Sequence, residues 1–461
     1  MGESNLKTTD NRCKAPTVQQ ILDRETRPVP PALRETVAEK MPAADLPVER
    51  YTSREFHDLE MARMWNRVWQ MACREEDIAK PGDYLVYEIG DHSVLLLRTQ
   101  DGDIRAYHNV CLHRGRLLKT GQGHAAAIRC PFHGFTWKLD GSIHEIPCRW
   151  DFAHKTDEEF RLPEVKTGLW GGFVFINLDP EARPLADYLD VVPQHFERWD
   201  LGNRYKSAHV GKIVAANWKV CAEAFMESYH VIATHPQIMP STADANTQYD
   251  VYPGKPHFNR MITAMGVASP HLGGDAYPDE KILDSMMAEY AGREGNKISV
   301  KLPPGQTARS FTANMLRGMI GGSSGWDLKQ ATDSEMLDAI QYFVFPNLFP
   351  WGGFFNNIVY RFRPDGHDPD SCLMEVMLLA PVRKGGERPP PAKYRLLGSD
   401  EAWASAKELG LLGPVFDQDM SNIPFVQKGL KAAVKPGVTL GNYQESRIRH
   451  LHRTLDDYLK G

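Results

Sequence analysis

Residues 109–137 constrain this chain more than any other stretch. They read N-V-C-L-H-R-G-R-L-L-K-T-G-Q-G-H-A-A-A-I-R-C-P-F-H-G-F-T-W, placing Cys111 and His113 one residue apart and Cys130 and His133 two apart. Sixteen residues separate the pairs, and Gly121 and Gly123 let the chain double back between them. Two thiolates and two imidazoles delivered by two short turns make a metal-ligand set. Zinc accepts those donors, but its finger signature puts both Cys on one side and both His on the other. Here each turn supplies one of each.

A Rieske [2Fe–2S] centre has two Cys on one iron and two His on the other, and two mixed turns can clamp it from both ends. Neutral imidazoles leave the cluster less negative than four thiolates would, which raises its potential. With Arg114-Gly115 after the first pair and Gly134-Phe135-Thr136-Trp137 after the second, the stretch resembles the C-x-H-R-G…C-x-x-H-G-x-x-[FWY] pattern of the Rieske family. The resemblance implies that Cys111, His113, Cys130 and His133 hold the cluster. Such a cluster only passes electrons, so the remaining chain must contain what the electron is for.

At 461 residues the chain has room for two or three units. Its 42% hydrophobic and 25% charged residues are ordinary for a soluble protein. A net charge of −5 without a basic block gives no pointer to nucleic acid or an anionic membrane. No apolar run approaches the ~20 residues of a membrane span. The opening M-G-E-S-N-L-K-T-T-D lacks the apolar core of a secretion signal, so a cytoplasmic enzyme is expected. Cys13, Cys73, Cys148, Cys221 and Cys372 are scattered and odd in number, and read as free thiols.

Residues 1–60 read as an arm and a lead-in helix, with Thr52 or Ser53 capping E-F-H-D-L-E-M-A-R-M-W. Residues 61–180 read as short β-runs. Strands over 83–89 and 93–99 flank Gly90-Asp91-His92, an apolar strand over 171–178 closes the unit, and the ligand loops sit at hairpin tips. Residues 181–461 read as an α+β domain in which an antiparallel sheet wraps a helix around a pocket. Helices are expected over 185–198, 218–234, from 400 onward and over 443–459; strands over 342–345, 353–363 and 371–381. The Gly- and Ser-rich residues 295–326 read as a mobile loop. The aromatic run Q-Y-F-V-F-P-N-L-F-P-W-G-G-F-F over 341–355 reads as sheet core rather than a partner surface.

A second ligand set lies in N-W-K-V-C-A-E-A-F-M-E-S-Y-H-V-I-A-T-H-P, residues 217–236. Glu223, Glu227 and His230 recur at steps of four and three, which places them on one helical face. His235 follows, and a helix loosening near Ala233-Thr234 would aim both imidazoles at one point. Two His and one carboxylate bind Fe(II) on one face and leave adjacent positions open for O₂ and substrate. Spacing alone leaves the carboxylate open among Glu223, Glu227, Asp417 and Asp419.

N-W-K…E-S-Y-H-x-x-x-x-H-P together with D-x-x-x-x-x-x-V-Q-x-G-L is similar to the catalytic part of Rieske non-heme iron ring-hydroxylating oxygenase α subunits. The resemblance implies an all-β Rieske domain followed by a helix-grip (START/Bet v 1-like) catalytic domain. It implies a mononuclear Fe(II) on His230, His235 and Asp419. Glu227 becomes the acid joining a cluster-ligand His of the neighbouring subunit to an iron-ligand His, in a head-to-tail trimer linked through His133, Glu227 and His230. A homotrimer of α subunits or an α3β3 assembly follows. Electrons come from a separate ferredoxin or reductase, because no G-x-G-x-x-G follows a strand here. The implied reaction is cis-dihydroxylation, or monooxygenation including demethylation, of an aromatic or polycyclic substrate. Many members carry Asp where this chain has Glu227, and Glu occurs in oxygenases of quaternary ammonium compounds. A monooxygenase of such a compound is therefore the alternative. A pure electron-transfer protein would leave everything after about residue 180 unexplained, and a zinc-stabilised binding module is the remaining rival. Phe225, Met226, Ile232, Phe349, Trp351 and Phe416 are candidate pocket residues, with Arg309 and Arg317 as candidate partners of a substrate carboxylate.

Overall fold

A computed structural model describes residues 15–290 and 300–460, so Cys13 and residues 295–299 lie outside the described residues. The lead-in helix begins where Ser53 Oγ accepts the Phe56 N–H at 3.1 Å. It runs through Arg54–Glu60 into a wider turn, Met61–Trp65, that buries Met61, Met64 and Trp65. Thr52 instead ends the preceding helix, Glu49–Thr52.

A seven-stranded antiparallel sheet follows, in the order Gln70–Arg74, Phe173–Asn177, Glu164–Trp170, Ile104–His108, His92–Arg98, Asp83–Ile89, Gln122–His124. The expected hairpin is present, with its second strand starting one residue early at His92. The closing strand starts at Phe173, because Gly171 and Gly172, at φ +60° and +78°, make the turn from Trp170. Beside this sheet, Ile128–Arg129, Thr136–Trp137 and Ile143–Glu145 form a smaller one. Leu95, Leu97, Tyr107, Phe135, Trp137 and Phe160 form the core between them.

The C-terminal sheet has eight strands, in the order Gln248–Val251, Phe258–Thr263, Ala339–Val344, Leu348–Gly352, Ile358–Asp365, Asp368–Pro381, Arg204–Val214, Arg395–Leu397. All neighbours are antiparallel except the last pair. The terminal helix, Ser446–Lys460, packs onto it: His450 Nδ1 meets Asn259 Nδ2 at 2.9 Å and Tyr458 stacks on Phe345. Tyr342, Phe343, Phe345 and Phe349 are buried, so the aromatic run is sheet core. The two sheets are fixed to each other by buried polar bonds. Arg361 pairs with Glu375 (Nε to Oε2, 2.6 Å) and reaches Met71 O (3.3 Å), while Asn347 Oδ1 accepts the Met71 N–H at 3.0 Å.

Three readings are corrected. The Gly- and Ser-rich stretch carries a helix, Ala308–Ser324, opened by a Thr307–Ser310 capping box and closed by Gly325 at φ +72°. Glycines lower its intrinsic propensity, but buried Ala308, Ala313 and Leu316 and the Arg309–Asp338 pair hold it by packing. The helix expected over 185–198 is two, Leu185–Leu189 and Val192–Phe196, interrupted by Asp190 at φ +50°. The strand expected over 353–363 starts only at Ile358, since Gly353 turns the chain at φ +94° against Glu335 O. The arm covers a sheet edge: Val251 N–H donates to Val37 O at 3.1 Å and Val37 N–H to Asp250 Oδ1 at 3.0 Å. Among the described residues, no helix is long and apolar enough to cross a membrane.

Candidate functional site

The two cysteine–histidine turns are built alike. Cys111 N–H donates to Arg116 O (2.8 Å) and Gly115 N–H to Cys111 O (2.9 Å). Cys130 N–H donates to Phe135 O (2.8 Å) and Gly134 N–H to Cys130 O (3.0 Å). Gly115 and Gly134 hold φ +75° and +80°, a left-handed geometry that any Cβ penalises. Each turn therefore presents its Cys and His from its own backbone bonds.

Both thiols are buried. Burial pushes the Cys111 thiol up; the His113 backbone N–H opposes this and Cys130 adds to it. The His113 and His133 rings stand 4.7 Å apart, and His113 stacks on Phe135. His113 Nδ1 is buried without a hydrogen-bond partner among the described residues. A buried nitrogen with no partner is costly unless something binds it. Two buried thiols beside such a nitrogen fit an iron–sulfur group.

The second cluster joins His235, His230 and Asp419. Asp419 Oδ1 lies 3.0 Å from His235 Nε2 and 3.8 Å from His230 Nε2, and the three ligand atoms all fall within 4.8 Å of one another. Glu227 Oε1 accepts His230 Nδ1–H at 2.7 Å, and its Oε2 accepts the His230 backbone N–H at 3.0 Å. Gln418 Oε1 accepts His235 Nδ1–H at 2.8 Å. With Nδ1 occupied in both rings, each Nε2 lone pair is left for the common point. Burial pulls the His230 imidazolium down, but the Glu227 bond and charge, with Asp419, outweigh it and the net shift is upward. Two imidazoles and one carboxylate fit Fe(II).

The expected helix over 218–234 breaks, and the break builds the site. Trp218–Glu223 and Val231–Thr234 are helical; between them outside partners serve the backbone. Met226 O accepts from Arg447 Nη1 (3.0 Å), and Ser228 N–H donates to Tyr249 OH (3.0 Å). Glu223, Glu227 and His230 therefore do not share one helical face. Glu223 turns to His452 Nε2 (2.7 Å) and Tyr51 OH (3.2 Å). Asp417 accepts the Trp403 and Ala404 backbone N–H groups at 2.7 and 3.0 Å, leaving Asp419 at the two imidazoles.

A cavity of about 270 Å³ adjoins the ligand atoms. Phe225, Trp351 and Phe416 line it, as do Tyr360 and Gln341, which sequence reasoning missed. Met226 and Phe349 belong to the core instead, and Ile232 is 39% exposed. Arg309 and Arg317 do not face the cavity: Arg309 Nη2 donates to Asp338 Oδ2 (3.0 Å), and Arg317 pairs with Asp333. Gln418 was also missed. Its signal was only its place beside Asp419, and a neutral amide at that position has no distinguishing pattern.

The family described as "Ring hydroxylating alpha subunit (catalytic domain)" matches residues 194–461, and "Rieske [2Fe-2S] domain" matches residues 68–155. The glycine betaine monooxygenase oxygenase subunit of Pseudomonas aeruginosa is 29% identical over 221 residues, covering 46% of this chain and 50% of that one. The carnitine monooxygenase oxygenase subunit of Escherichia coli is 32% identical over 204 residues, covering 41% and 52%. The chain thus spans about half the length of these curated relatives. Among solved structures, a quaternary ammonium Rieske monooxygenase in complex with L-carnitine has a TM-score of 0.61 at 18% identity, covering 91% of this chain and 99% of that one. Naphthalene 1,2-dioxygenase from Rhodococcus sp. bound to indole has a TM-score of 0.57 at 20% identity, covering 90% and 94%. At these identities the structural likeness speaks for the fold.

Proposed function

The chain belongs to the ring-hydroxylating α-subunit family, and from that premise we propose that it is the terminal oxygenase of a Rieske system. The reading is carried by one observation: three ligand atoms converge at the wall of an apolar cavity, while Glu227 holds the outer side of His230. Residues 61–180 carry the cluster on Cys111, His113, Cys130 and His133, and residues 181–461 carry Fe(II) on His230, His235 and Asp419. When bound, the cluster supplies electrons singly and the iron activates O₂ for insertion into a small molecule. The protein's own residues do the rest. Glu227 and Gln418 orient the two imidazoles, and Phe225, Trp351 and Phe416 exclude water from the reacting face.

Electrons arrive from a separate ferredoxin or reductase, in the cytoplasm. The assembly is a head-to-tail trimer in which one subunit's His133 meets the next subunit's Glu227, a heterologous contact that closes into a ring. Matching apolar rims support it. Phe132 and Trp150 are 54% and 77% exposed by the cluster turns; Tyr229, beside His230, and Phe425, on the helix Ile423–Lys431 that follows the one carrying Asp419, are 55% and 65% exposed.

The reaction is cis-dihydroxylation or monooxygenation of an aromatic or polycyclic substrate. A second reading, monooxygenation of a quaternary ammonium compound, is favoured by Glu227 and by the aromatic faces of Phe225, Trp351, Tyr360 and Phe416 around the cavity. Metal analysis of anaerobically purified protein tests the shared core of both. About three irons per two acid-labile sulfides are expected. Asp419→Ala should lower iron toward the cluster's share while preserving cluster colour; retained iron and activity would make another carboxylate the ligand.

A further inference from the structure

A second chamber of about 470 Å³ lies against the cavity beside the ligand triad. Met265, Asn356, Ile358, Leu411 and Leu412 line both and stand between them. Among the described residues lining either chamber, the titratable groups are Tyr360, Glu227, His230, His235 and Asp419, all lining the inner cavity. No lysine or arginine lines either chamber, so hydrogen bonds and apolar contact are what the protein offers a ligand away from the triad.

Among the residues lining the inner cavity, Trp351 Nε1 is buried without a partner among the described residues, and the Gln341 amide offers a second donor. Gln341 is 1% exposed, sits between Met261 and Trp351 on the neighbouring strands, and lines the inner cavity. Its Oε1 accepts from Arg447 Nη1 at 3.0 Å, which fixes the orientation of the amide. The amide NH₂ donates to no protein atom among the described residues. A buried donor costs free energy until an acceptor arrives.

We propose that the substrate is an elongated, mostly apolar molecule with one hydrogen-bond acceptor, which Gln341 holds beside the triad while the remainder reaches past Leu411 and Leu412 into the second chamber. This rests on the reading that the inner cavity is the substrate site. It makes Gln341 a positioning residue and the way past Leu411 and Leu412 a length filter.

Calorimetric titration of the oxidised holoenzyme, without a reductant so that nothing turns over, tests it. The probes are para-acetylbiphenyl, para-ethylbiphenyl and acetophenone. The acetyl compound should bind about tenfold tighter than the ethyl compound, the worth of one hydrogen bond. Gln341→Glu keeps the acceptor for Arg447 but removes the donor, and should bring the acetyl and ethyl compounds to parity. Leu412→Trp should close that way, weakening every biphenyl about tenfold while leaving acetophenone unchanged. An acetyl preference that survives Gln341→Glu overturns the proposal, as does an unchanged affinity of the biphenyls for Leu412→Trp. Failure of every probe to bind a protein with both metal centres loaded also overturns it, but leaves the oxygenase reading intact. Absent metal centres would instead sink the oxygenase reading.

Discussion

The cysteine–histidine turns and the His–His–Asp cluster both gather ligand atoms around a point, by opposite routes. Each turn closes on itself through two backbone bonds and one left-handed glycine. In the other cluster Asp419 comes from 184 positions beyond His235, and the segment carrying His230 is held out of helical form by Arg447 and Tyr249. A site made of local turns depends on a few dihedral angles. A site assembled across the core depends on everything that keeps its segments in register.

The largest expected effect falls on Glu227, the residue proposed to connect the two regions between subunits. Glu227→Gln keeps a hydrogen-bond acceptor at His230 but removes the charge, and turnover should fall ~10–100-fold, as for other carboxylates behind metal-bound histidines. Both metal centres should stay loaded, with cluster re-oxidation uncoupled from product formation in stopped-flow traces. Undiminished turnover would remove Glu227 from the bridge. Next, Gly134→Ala attacks one turn alone. The residue is held at φ +80°, and a Cβ there would lie 3.0 Å from Arg129 Nη2. The left-handed geometry should cost about 1–2 kcal/mol and drain the cluster's colour while iron at the triad persists. Loss of both metals together would mean the two regions are not separable. A smaller effect is expected for Asp417→Asn, which weakens one of two backbone bonds at Trp403 and Ala404. Unfolding should come about 1 kcal/mol earlier with iron content unchanged; lost iron would promote Asp417 over Asp419.

The same contrast explains what could be read from the chain. The turns were legible because their chemistry and their geometry occupy the same few residues: Cys, His and the glycine that closes the loop. The β-hairpin at Gly90 was legible for the same reason. Around the triad, residue types were readable but arrangement was not. A periodic pattern put Glu223 on one helical face with Glu227 and His230, yet the helix ends at Glu223, and Tyr51 and His452, far away in sequence, bond its carboxyl and keep it out of the ligand set. Likewise the glycines at 318, 321 and 322 argued for a loop, and the buried ion pairs of Arg309 and Arg317 that override them come from residues 333 and 338. Gln341 was invisible because its role depends on Arg447 taking its oxygen.

The displaced Glu223 gives the finest test of this tertiary control. Burial, against Tyr51, Lys219 and Arg50, pushes its carboxyl up to about 8, and Glu227 and Glu445 share its cavity. An unfolded Glu titrates near its ordinary value of 4.5. Between those two values the folded protein holds a proton that the unfolded chain has released, so stability falls as pH rises through that window. Glu25, Glu60 and Glu445 are raised as well and act in the same direction. The buried histidines act in the opposite sense: burial lowers His257 to about 4 and His450 to about 3, so their contribution is lost only as pH falls below 6.5 and is constant above it. Denaturant unfolding at pH 7 and 8.5 therefore leaves out these lowered histidines. The raised carboxyl groups, His230 and the buried thiols all contribute, so it is the difference made by Glu223→Gln that isolates Glu223. Glu223→Gln can still bond His452 and should lose less stability over that interval than the natural chain. An identical decline in both proteins would mean Glu223 is already ionised at neutral pH, and that the broken helix leaves it solvated rather than sealed against Tyr51 and His452.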